Sequence, residues 1–380
     1  MKVPDTLTYL DHAATTPMRP EAVEAMLPFF TEQYANPSGS HRFARSVRQA
    51  IDEARDVVAE TIACRSGEIV FTGCGTESDN AAISGVLRRH GGTAVCSSVE
   101  HHAVLHTVEH SGGRVVGVDS SGRIDQQQLV DAIDGDVSVV SCMAVNNEVG
   151  SITDVAVVAR IARAANPNVV VHTDAVQAAC WLDLRTITPH VDLMSLSGHK
   201  FGGPKGIGVL VARTSGAFDP LLIGGGQERE RRSGTQNVAG AVALAEALRL
   251  TDLERTDENA RIGALRDRLV GQLCARLADV RETVPVADKV AGSAHVCIRG
   301  IENEALLYLL DEGGVCASAA SACAAGAMEP SHVLAAMGIE RDWAAGAVRL
   351  SLGHTTTQAD VDRAIQVVVD AVERIRTFAS

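Results

Sequence analysis

The sequence predicts an α/β fold built on a mostly parallel sheet, because apolar runs alternate regularly with helical stretches. Strand-like runs lie near 69–72, 93–98, 114–118, 137–142, 169–174, 191–196 and 207–212. Helical stretches lie near 43–63, 77–89, 126–133 and 154–165. This alternation favours a parallel sheet covered by helices on both faces, with ligands at the carboxyl ends of its strands.

Length and composition indicate a soluble chain with a large core. Of its 380 residues, 46% are hydrophobic, so we expect two domains that share one functional unit. No run of about eighteen apolar residues occurs, and the N-terminus lacks a charged-then-apolar signal pattern. The sequence therefore predicts neither membrane insertion nor secretion.

Cysteine content and net charge indicate the cellular compartment and the class of binding partner. Nine cysteines scatter through apolar segments, and none forms a Cys-x-x-Cys pair, which fits a reducing cytoplasm. The formal net charge of −13 argues against direct, tight binding of nucleic acid, whose phosphates it would repel.

The first candidate binding motif is a strand, a glycine turn and a helix start at 69–80. Gly73 and Gly75 allow the backbone to approach an anion closely, and Thr76 with Asp79 resembles a capping pair. The helix start would add aligned N–H groups and a positive dipole end. The pattern is neither the Walker motif nor the dinucleotide fingerprint, and most such turns only begin a helix.

His102, His106 and His110 are spaced four apart and would line one helical face, which invites a zinc hypothesis. No carboxylate or thiol nearby completes a ligand pattern, and a polar helix face explains the spacing as well. We therefore predict no metal site.

A further buried strand, 169–174, ends in the carboxylate of Asp174, and Gln177 follows three residues later. A helical turn starting there would put Gln177 on the same side as Asp174. Taken alone, a carboxylate at the end of a strand is more often a helix cap.

The apolar run 191–196 leads to Lys200, one of only four lysines in the chain, and then to a turn at 201–204. An amine at the end of a buried strand is costly unless it is neutralised or covalently engaged. A Schiff base with an aldehyde cofactor does this, and pyridoxal phosphate is the best candidate. The motif alone is equally compatible with a surface lysine beside a glycine-rich loop.

Asp174 favours the cofactor interpretation of Lys200, because pyridoxal chemistry needs an anion that keeps the ring nitrogen protonated. Gln177 would then donate to the phenolate oxygen of the ring. The turn at 73–76 would bind the phosphate, with Ser197 and His199 adding donors.

The C-terminal third has a different pattern. Residues from about 236 to 279 are helical, rich in Ala, Leu, Glu and Arg, and predict a link to a smaller domain. Residues 295–298 and 347–350 are its candidate strands. Between them, 313–327 consists of small residues without periodicity and contains Cys323. Taken alone, a run of Ala, Gly and Ser residues of this kind is more often a tightly packed turn than a catalytic loop.

Ten motifs support a closer comparison. They are Asp11-His12-Ala13-Ala14-Thr15-Thr16-Pro17, Asn36-Pro37-Ser38, Gly75-Thr76-Glu77-Ser78-Asp79-Asn80, Glu100-His101-His102, Asn146-Asn147-Glu148-Val149-Gly150, His172-Thr173-Asp174, Ser197-Gly198-His199-Lys200, Arg232-Ser233-Gly234-Thr235, Ser321-Ala322-Cys323 and Arg349-Leu350-Ser351-Leu352-Gly353. In this order, from Tyr9 to about residue 370, the chain resembles the NifS/IscS-like cysteine desulfurases of the class V aminotransferase group of pyridoxal phosphate enzymes.

The resemblance implies the fold of the type I PLP-dependent transferases. This fold has a large domain, whose mostly parallel mixed sheet is flanked by helices, and a smaller α+β C-terminal domain. We expect the large PLP-binding domain at 15–255. The small domain would comprise 1–14 and 256–380 and would carry the catalytic Cys loop.

The resemblance also assigns cofactor contacts. Lys200 would hold pyridoxal 5'-phosphate and, once released by substrate, move the proton between Cα and the cofactor. Asp174 would pair with the pyridinium nitrogen, and His101 would stack on the ring and take part in acid–base catalysis. The other implied contacts are Asn147 and Gln177 near the phenolate edge, Gly75, Thr76, Ser197 and His199 at the phosphate, and Thr235 at the phosphate of the neighbouring subunit of a homodimer.

For the substrate, L-cysteine, the resemblance implies that Arg349 holds the carboxylate by a two-pronged pair with help from Asn36. Cys323 would attack the substrate sulfur, keeping it as a persulfide and leaving alanine. A free thiol has a pKa of about 8.5, so the site must stabilise the thiolate. Ala319-Ala320 stand where the resembled motif usually has glycine, which predicts a stiffer loop or a Cys323 farther from the cofactor.

Three function classes remain in view. They are a cysteine desulfurase, another class V enzyme such as an aminotransferase or a selenocysteine lyase, and a non-catalytic scaffold with a pyridoxal fold. Cys323 argues against a plain aminotransferase, and its presence together with Lys200, Asp174 and Arg349 argues against a scaffold. The sulfur would pass to an acceptor protein serving iron–sulfur cluster assembly, tRNA thiolation or DNA phosphorothioation, which the sequence does not distinguish.

Overall fold

A computed structural model describes residues 7–214, 216–319 and 331–379. Its strands are β1 Thr8–Tyr9, β2 Ile69–Thr72, β3 Thr93–Ser97, β4 Arg114–Val116, β5 Val137–Ser141, β6 Val170–Asp174, β7 Leu193–Ser197, β8 Gly208–Ala212, β9 Val280–Glu282, β10 Ser293–Ile298, β11 Val315–Cys316 and β12 Ala347–Ser351. Its α-helices are α1 Pro20–Met26, α2 Pro28–Thr31, α3 Arg42–Thr61, α4 Gly75–His90, α5 His102–His110, α6 Gln126–Ala132, α7 Val155–Ala165, α8 Val238–Arg276, α9 Asn303–Glu312, α10 His332–Ala336, α11 Arg341–Ala344 and α12 Gln358–Ala379.

The central sheet has the strand order β2-β8-β7-β6-β5-β3-β4. Strands from β4 to β7 pair in parallel, whereas β8 runs antiparallel to β7 and to β2. The strands β2, β6, β7 and β8 are buried along their whole length, as strands covered on both faces must be. The predicted α/β class and mostly parallel sheet are confirmed.

The direction of the strands gathers the predicted site at one edge of this sheet. Because β2 is antiparallel to β8 and β8 to β7, β2 points the same way as β6 and β7. The carboxyl ends of these three strands therefore lie at the same edge. They lead to the glycine turn at 73–75, to Asp174 and to Lys200.

A second core packs against a separate antiparallel sheet of order β12-β10-β9. It contains Leu10, Ile262, Leu269 and Leu350, whereas the first half of α8 contributes Leu244 to the core of the central sheet. The 39-residue helix α8 thus runs from one core to the other. A short parallel pair, Thr8 with Val315 and Tyr9 with Cys316, adds the start of the chain to the second core.

The element bounds agree with the sequence-based ones to within a few residues where the elements are long. The elements that the sequence did not predict include β1, β9, β11, α1, α9 and α12. Across the described ranges, no helix is both long and apolar enough to cross a bilayer.

Candidate active site

Asp174 and Lys200 lie at the ends of adjacent parallel strands. The Lys200 ammonium donates to the carbonyl oxygens of Ala13, at 2.5 Å, and Ala14, at 2.9 Å. Asp174 is buried, and its Oδ1 accepts from the backbone N–H of Val176 at 2.8 Å. Burial raises the pKa of Asp174 to about 6, although the Val176 N–H and the Lys200 charge oppose this rise. A cationic ring nitrogen would favour its ionised form further.

Buried polar side chains surround Asp174. His172, fully buried in β6, contacts the Ser141 hydroxyl through Nδ1 at 2.8 Å and the Ser195 hydroxyl through Nε2 at 3.0 Å. Burial lowers the pKa of His172 to about 3, so its ring is neutral. Burial, and then the charge of Asp174, raise the pKa of Asp79 well above its ordinary value. The shift favours the protonated form of Asp79 next to Asp174.

The glycine turn packs tightly against the ends of β6 and β7. A Cβ on Gly75 would lie 2.8 Å from Cγ2 of Val176 and 3.2 Å from Cβ of Ser197, closer than side chains pack. Helix α4 begins at Gly75, and its N-cap, Cys74, makes no side-chain capping bond. The predicted capping pair of Thr76 and Asp79 is wrong, because Cys74 is the N-cap and the side chain of Asp79 is buried in the core.

The two predicted histidines of the site are neutral. His101 caps α5, and its Nδ1 accepts from the Ala103 N–H at 3.1 Å, so the proton of the neutral ring is on Nε2. Burial, and then the charge of Lys200, lower the pKa of His101. The same two causes, with Lys205, lower the pKa of His199 to about 4, and its Nδ1 lies 3.1 Å from the Thr15 hydroxyl.

Arg349 is buried on β12 and reaches across to the central sheet. Its Nη1 donates to the carbonyl of Asn147 at 2.8 Å, and its Nη2 donates to Oδ1 of Asp11 at 2.7 Å. Its Nε has no hydrogen-bond partner among the described residues. Arg349, Lys200, Asn147 and Gln177 line one cavity of about 770 Å³, part of which is open to solvent.

The described residues fit pyridoxal phosphate. A lysine amine and a buried carboxylate follow adjacent parallel strands, and a glycine turn without room for a Cβ leads into a helix start. A buried arginine N–H without a partner among the described residues belongs to a side chain that lines the same cavity as the lysine. Gln177 also lines this cavity, and its Nε2 donates to the carbonyl of Ala13 at 2.8 Å.

Cys323 lies outside the described residues, but both flanks of its segment are held at the site. Ser318 and Arg349 exchange two backbone hydrogen bonds, of 2.8 and 3.1 Å. On the other side, the Ser331 hydroxyl donates to buried Glu148, and His332 Nε2 lies 3.0 Å from the carbonyl oxygen of Glu100.

Of the predicted residues that the structure describes, Asn147, Gln177, Lys200 and Arg349 line this cavity, whereas Asn36, Thr76 and Thr235 are exposed. Asn36 is exposed, and its Oδ1 accepts from the Ser38 N–H at 2.9 Å. Thr235 is also exposed. It follows Arg232, which forms an ion pair with Glu77 of α4. His102 and His106 do share a face of α5, with rings stacked 4.5 Å apart, and no metal-binding group was found in the described part of the chain.

The sequence interpretation missed Asp11 and the roles of Glu77, Glu100 and His172. Asp11 pairs with Arg349, and Glu100 accepts from the Met143 N–H at 2.8 Å while burial raises its pKa to about 8. A histidine inside an apolar strand was a usable signal for His172. Asp11 offered none, because its partner lies 338 residues away.

The amine, the acid and the turn at three strand ends define a pyridoxal phosphate enzyme of fold type I. The family model of class-V aminotransferases matches residues 8–364. An IscS-like cysteine desulfurase of Mycobacterium tuberculosis is 44% identical, over 98% of each chain. A solved NifS-like protein superposes with a TM-score of 0.90 at 33% identity, covering 97% of this chain and 100% of that one.

A structure of SspA in complex with cysteine, 31% identical, superposes with a TM-score of 0.78 over 91% of this chain and 98% of its own. The chain belongs to the class-V aminotransferase family, in its group of NifS- and IscS-like cysteine desulfurases, which depend on pyridoxal phosphate.

Proposed function

We propose that this chain removes sulfur from L-cysteine, releases L-alanine and holds the sulfur as a persulfide on Cys323 until an acceptor protein takes it. The observation that carries the proposal is the backbone pairing of Ser318 with Arg349. It links the segment that leads to Cys323 with the arginine proposed to hold the substrate carboxylate.

The cofactor, when bound, supplies an electron sink that labilises the bonds around the substrate Cα. We assign Lys200 to hold it and to move a proton at Cα, because its amine lies at the strand end beside Asp174. Asp174 would pair with the ring nitrogen, and His101 would present its Nε2–H to the ring region as a proton donor. Gly75, Thr76, Ser197 and His199 would hold the phosphate, with Asn147 and Gln177 near the phenolate edge.

The proposed sulfur step balances without an outside oxidant. The Cys323 thiolate attacks the sulfur of the bound cysteine, an S–S bond forms, and the substrate Cβ–S bond breaks. The electron pair of the broken bond stays with the carbon skeleton, which takes up protons and leaves as alanine. Arg349, with Asn36, would keep the carboxylate in place through this step, and the unpartnered Nε of Arg349 supports this role.

We further propose a homodimer in which Thr235 reaches the partner's phosphate. Thr235 is exposed, and the apolar side chains shortly before it are exposed too, Ile223 by 88% with Leu221 and Leu222 beside it. Three consecutive exposed apolar side chains support a partner surface at this segment. The burial of Leu10 in the second core supports the division into 15–255 and 1–14 with 256–380.

The sulfur acceptor is proposed to be a protein in the cytoplasm. The net charge of −13 disfavours direct contact with nucleic acid, and the eight described cysteines are all free, as in a reducing compartment. Similarity to IscS-like enzymes favours an iron–sulfur cluster scaffold over tRNA thiolation or DNA phosphorothioation enzymes.

The test compares Cys323→Ser with Cys316→Ser in the reconstituted enzyme. We expect Cys323→Ser to keep the cofactor absorbance but to form no persulfide, measured as the mass of one added sulfur atom, and Cys316→Ser to form it normally. Full desulfurase activity of Cys323→Ser would refute the nucleophile. A keto acid in place of alanine would indicate an aminotransferase.

A further inference from the structure

Glu77 carries a negative charge directly beside the proposed phosphate turn. It lies in the first turn of α4, and its Oε2 accepts from the backbone N–H of Gly73 at 2.7 Å. A Cβ on Gly73 would lie 2.6 Å from the same oxygen, so the carboxylate lies directly against the turn. The contact fixes the turn, but it also brings a carboxylate close to where a phosphate dianion is proposed to bind.

Arg232 cancels this charge with a two-pronged ion pair. Its Nε donates to Glu77 Oε1 at 2.8 Å, and its Nη2 donates to Oε2 at 3.2 Å. The exposed side-chain fractions are only 24% for Arg232 and 17% for Glu77, so solvent screens the pair less than a surface pair. Nη2 also lies 3.6 Å from the Cβ position of Gly73. The guanidinium therefore reaches the turn itself.

The segment just before Arg232 is anchored to the central sheet through Glu228. Glu228, four residues earlier, is buried and receives two hydrogen bonds of 2.8 Å from the Arg55 guanidinium. It also accepts from the Phe71 N–H at 3.1 Å. Glu228, Arg229 and Glu230 all have left-handed backbone angles, with φ of 50°, 59° and 66°, which non-glycine residues adopt only when contacts enforce them.

We propose that Arg232 and Glu77 are a positioning pair for the cofactor phosphate: Glu77 shapes the turn through Gly73, and Arg232 neutralises Glu77 so that the phosphate dianion is not repelled. This inference rests on the proposed phosphate site. It adds two residues that do not need to touch the phosphate themselves. It also connects the turn with the segment that carries Thr235.

The test measures dissociation constants for pyridoxal phosphate and for pyridoxal, which lacks the phosphate, on the cofactor-free full-length protein. Arg232→Met leaves the Glu77 charge unbalanced, and we expect it to weaken pyridoxal phosphate binding at least about tenfold. Pyridoxal binding should change by less than about twofold, because pyridoxal has no phosphate dianion for the Glu77 carboxylate to repel. Adding Glu77→Gln to Arg232→Met should restore most of the lost affinity.

Controls separate charge balance from general damage. Arg249→Met breaks an exposed ion pair with Glu246 and should change neither affinity. Should Arg232→Met not fold, Arg232→Lys, which keeps the charge, should bind pyridoxal phosphate nearly as wild type, and Glu77→Gln should lose less than Glu77→Ala.

Two results would overturn the inference: an equal loss of pyridoxal and pyridoxal phosphate binding in Arg232→Met, or a double variant as weak as Arg232→Met. For the fallback pair, equal losses in Glu77→Gln and Glu77→Ala would do the same. A wild-type protein that binds no pyridoxal phosphate would instead refute the proposed function.

Discussion

Ser318 and Arg349 form an antiparallel backbone pair in which the N–H of Arg349 donates to the Ser318 carbonyl at 2.8 Å and the N–H of Ser318 donates back at 3.1 Å. The pair fixes the position of the chain near the end of the described range 216–319. The arginine proposed to hold the substrate carboxylate and the segment leading to the proposed nucleophile therefore share one register.

Breaking this pair should impair sulfur transfer while sparing the cofactor. Ser318→Pro removes one of the two N–H donors, and we expect kcat/KM for L-cysteine to fall by about tenfold, with the cofactor spectrum unchanged. Ser318→Ala keeps both backbone bonds and is the matched control. Equal kcat/KM values for the two variants would show that the register does not matter.

Arg349 is expected to bind the substrate carboxylate with a forked pair that lysine does not reproduce. Arg349→Lys should raise the KM for L-cysteine about tenfold to a hundredfold, with a smaller effect on kcat. Steady-state alanine release gives both constants, and Arg374→Lys, at an exposed position, serves as the control. A fall in kcat with an unchanged KM would contradict carboxylate binding.

The affinity for the cofactor should fall in acid because of Asp174. Its pKa of about 6 in the cofactor-free protein means that below this pH the carboxyl must lose a proton before it pairs with the ring nitrogen. Each further pH unit should therefore cost about tenfold in affinity, and the dependence should disappear well above pH 6.

This pH effect is best measured in Lys200→Ala, where no covalent link forms. The same titration in Lys200→Ala with Asp174→Asn corrects for protons lost by the cofactor itself. The difference between the two should show the titration at or above about pH 6, since the missing Lys200 charge no longer lowers the pKa. Parallel pH profiles would exclude Asp174 as the partner.

Gly75 should tolerate no side chain. Gly75→Ala places a Cβ 2.8 Å from Val176, and we expect about 1–3 kcal/mol lower stability together with weaker cofactor binding. Gly271→Ala, at an open position in the last two turns of α8, should instead stabilise the protein by about 0.5–1 kcal/mol. Thermal unfolding of both variants measures the contrast, and unchanged stability of Gly75→Ala would mean that the turn moves easily.

The sequence allowed the prediction of those parts of the site that depend on local pattern. The strand ends before Asp174 and Lys200, and the turn at Gly75, follow from apolar runs and glycine punctuation. The pairing of Asp11 with Arg349 did not follow, because no periodicity relates residues so far apart. The two-residue strand β1 was equally out of reach, since it is defined by its partner and not by its own composition.

Thr76 and Asp79 show the opposite error. Their spacing fits a capping pair, but the helix begins one residue earlier and tertiary packing takes Asp79 into a buried cluster with His172. The local spacing predicts a capping hydrogen bond, whereas in the folded chain the Asp79 side chain is buried near His172.

The pairing of Tyr9 with Cys316 also has a consequence for biosynthesis. Strand β1 leaves the ribosome first but finds its partner only after about 300 further residues, which takes about 15–60 s at ordinary elongation rates. The carbonyls of Ala13 and Ala14 that receive the lysine amine follow directly on this late-docking strand. The nascent chain should therefore complete its lysine pocket only after Cys316 has been synthesised.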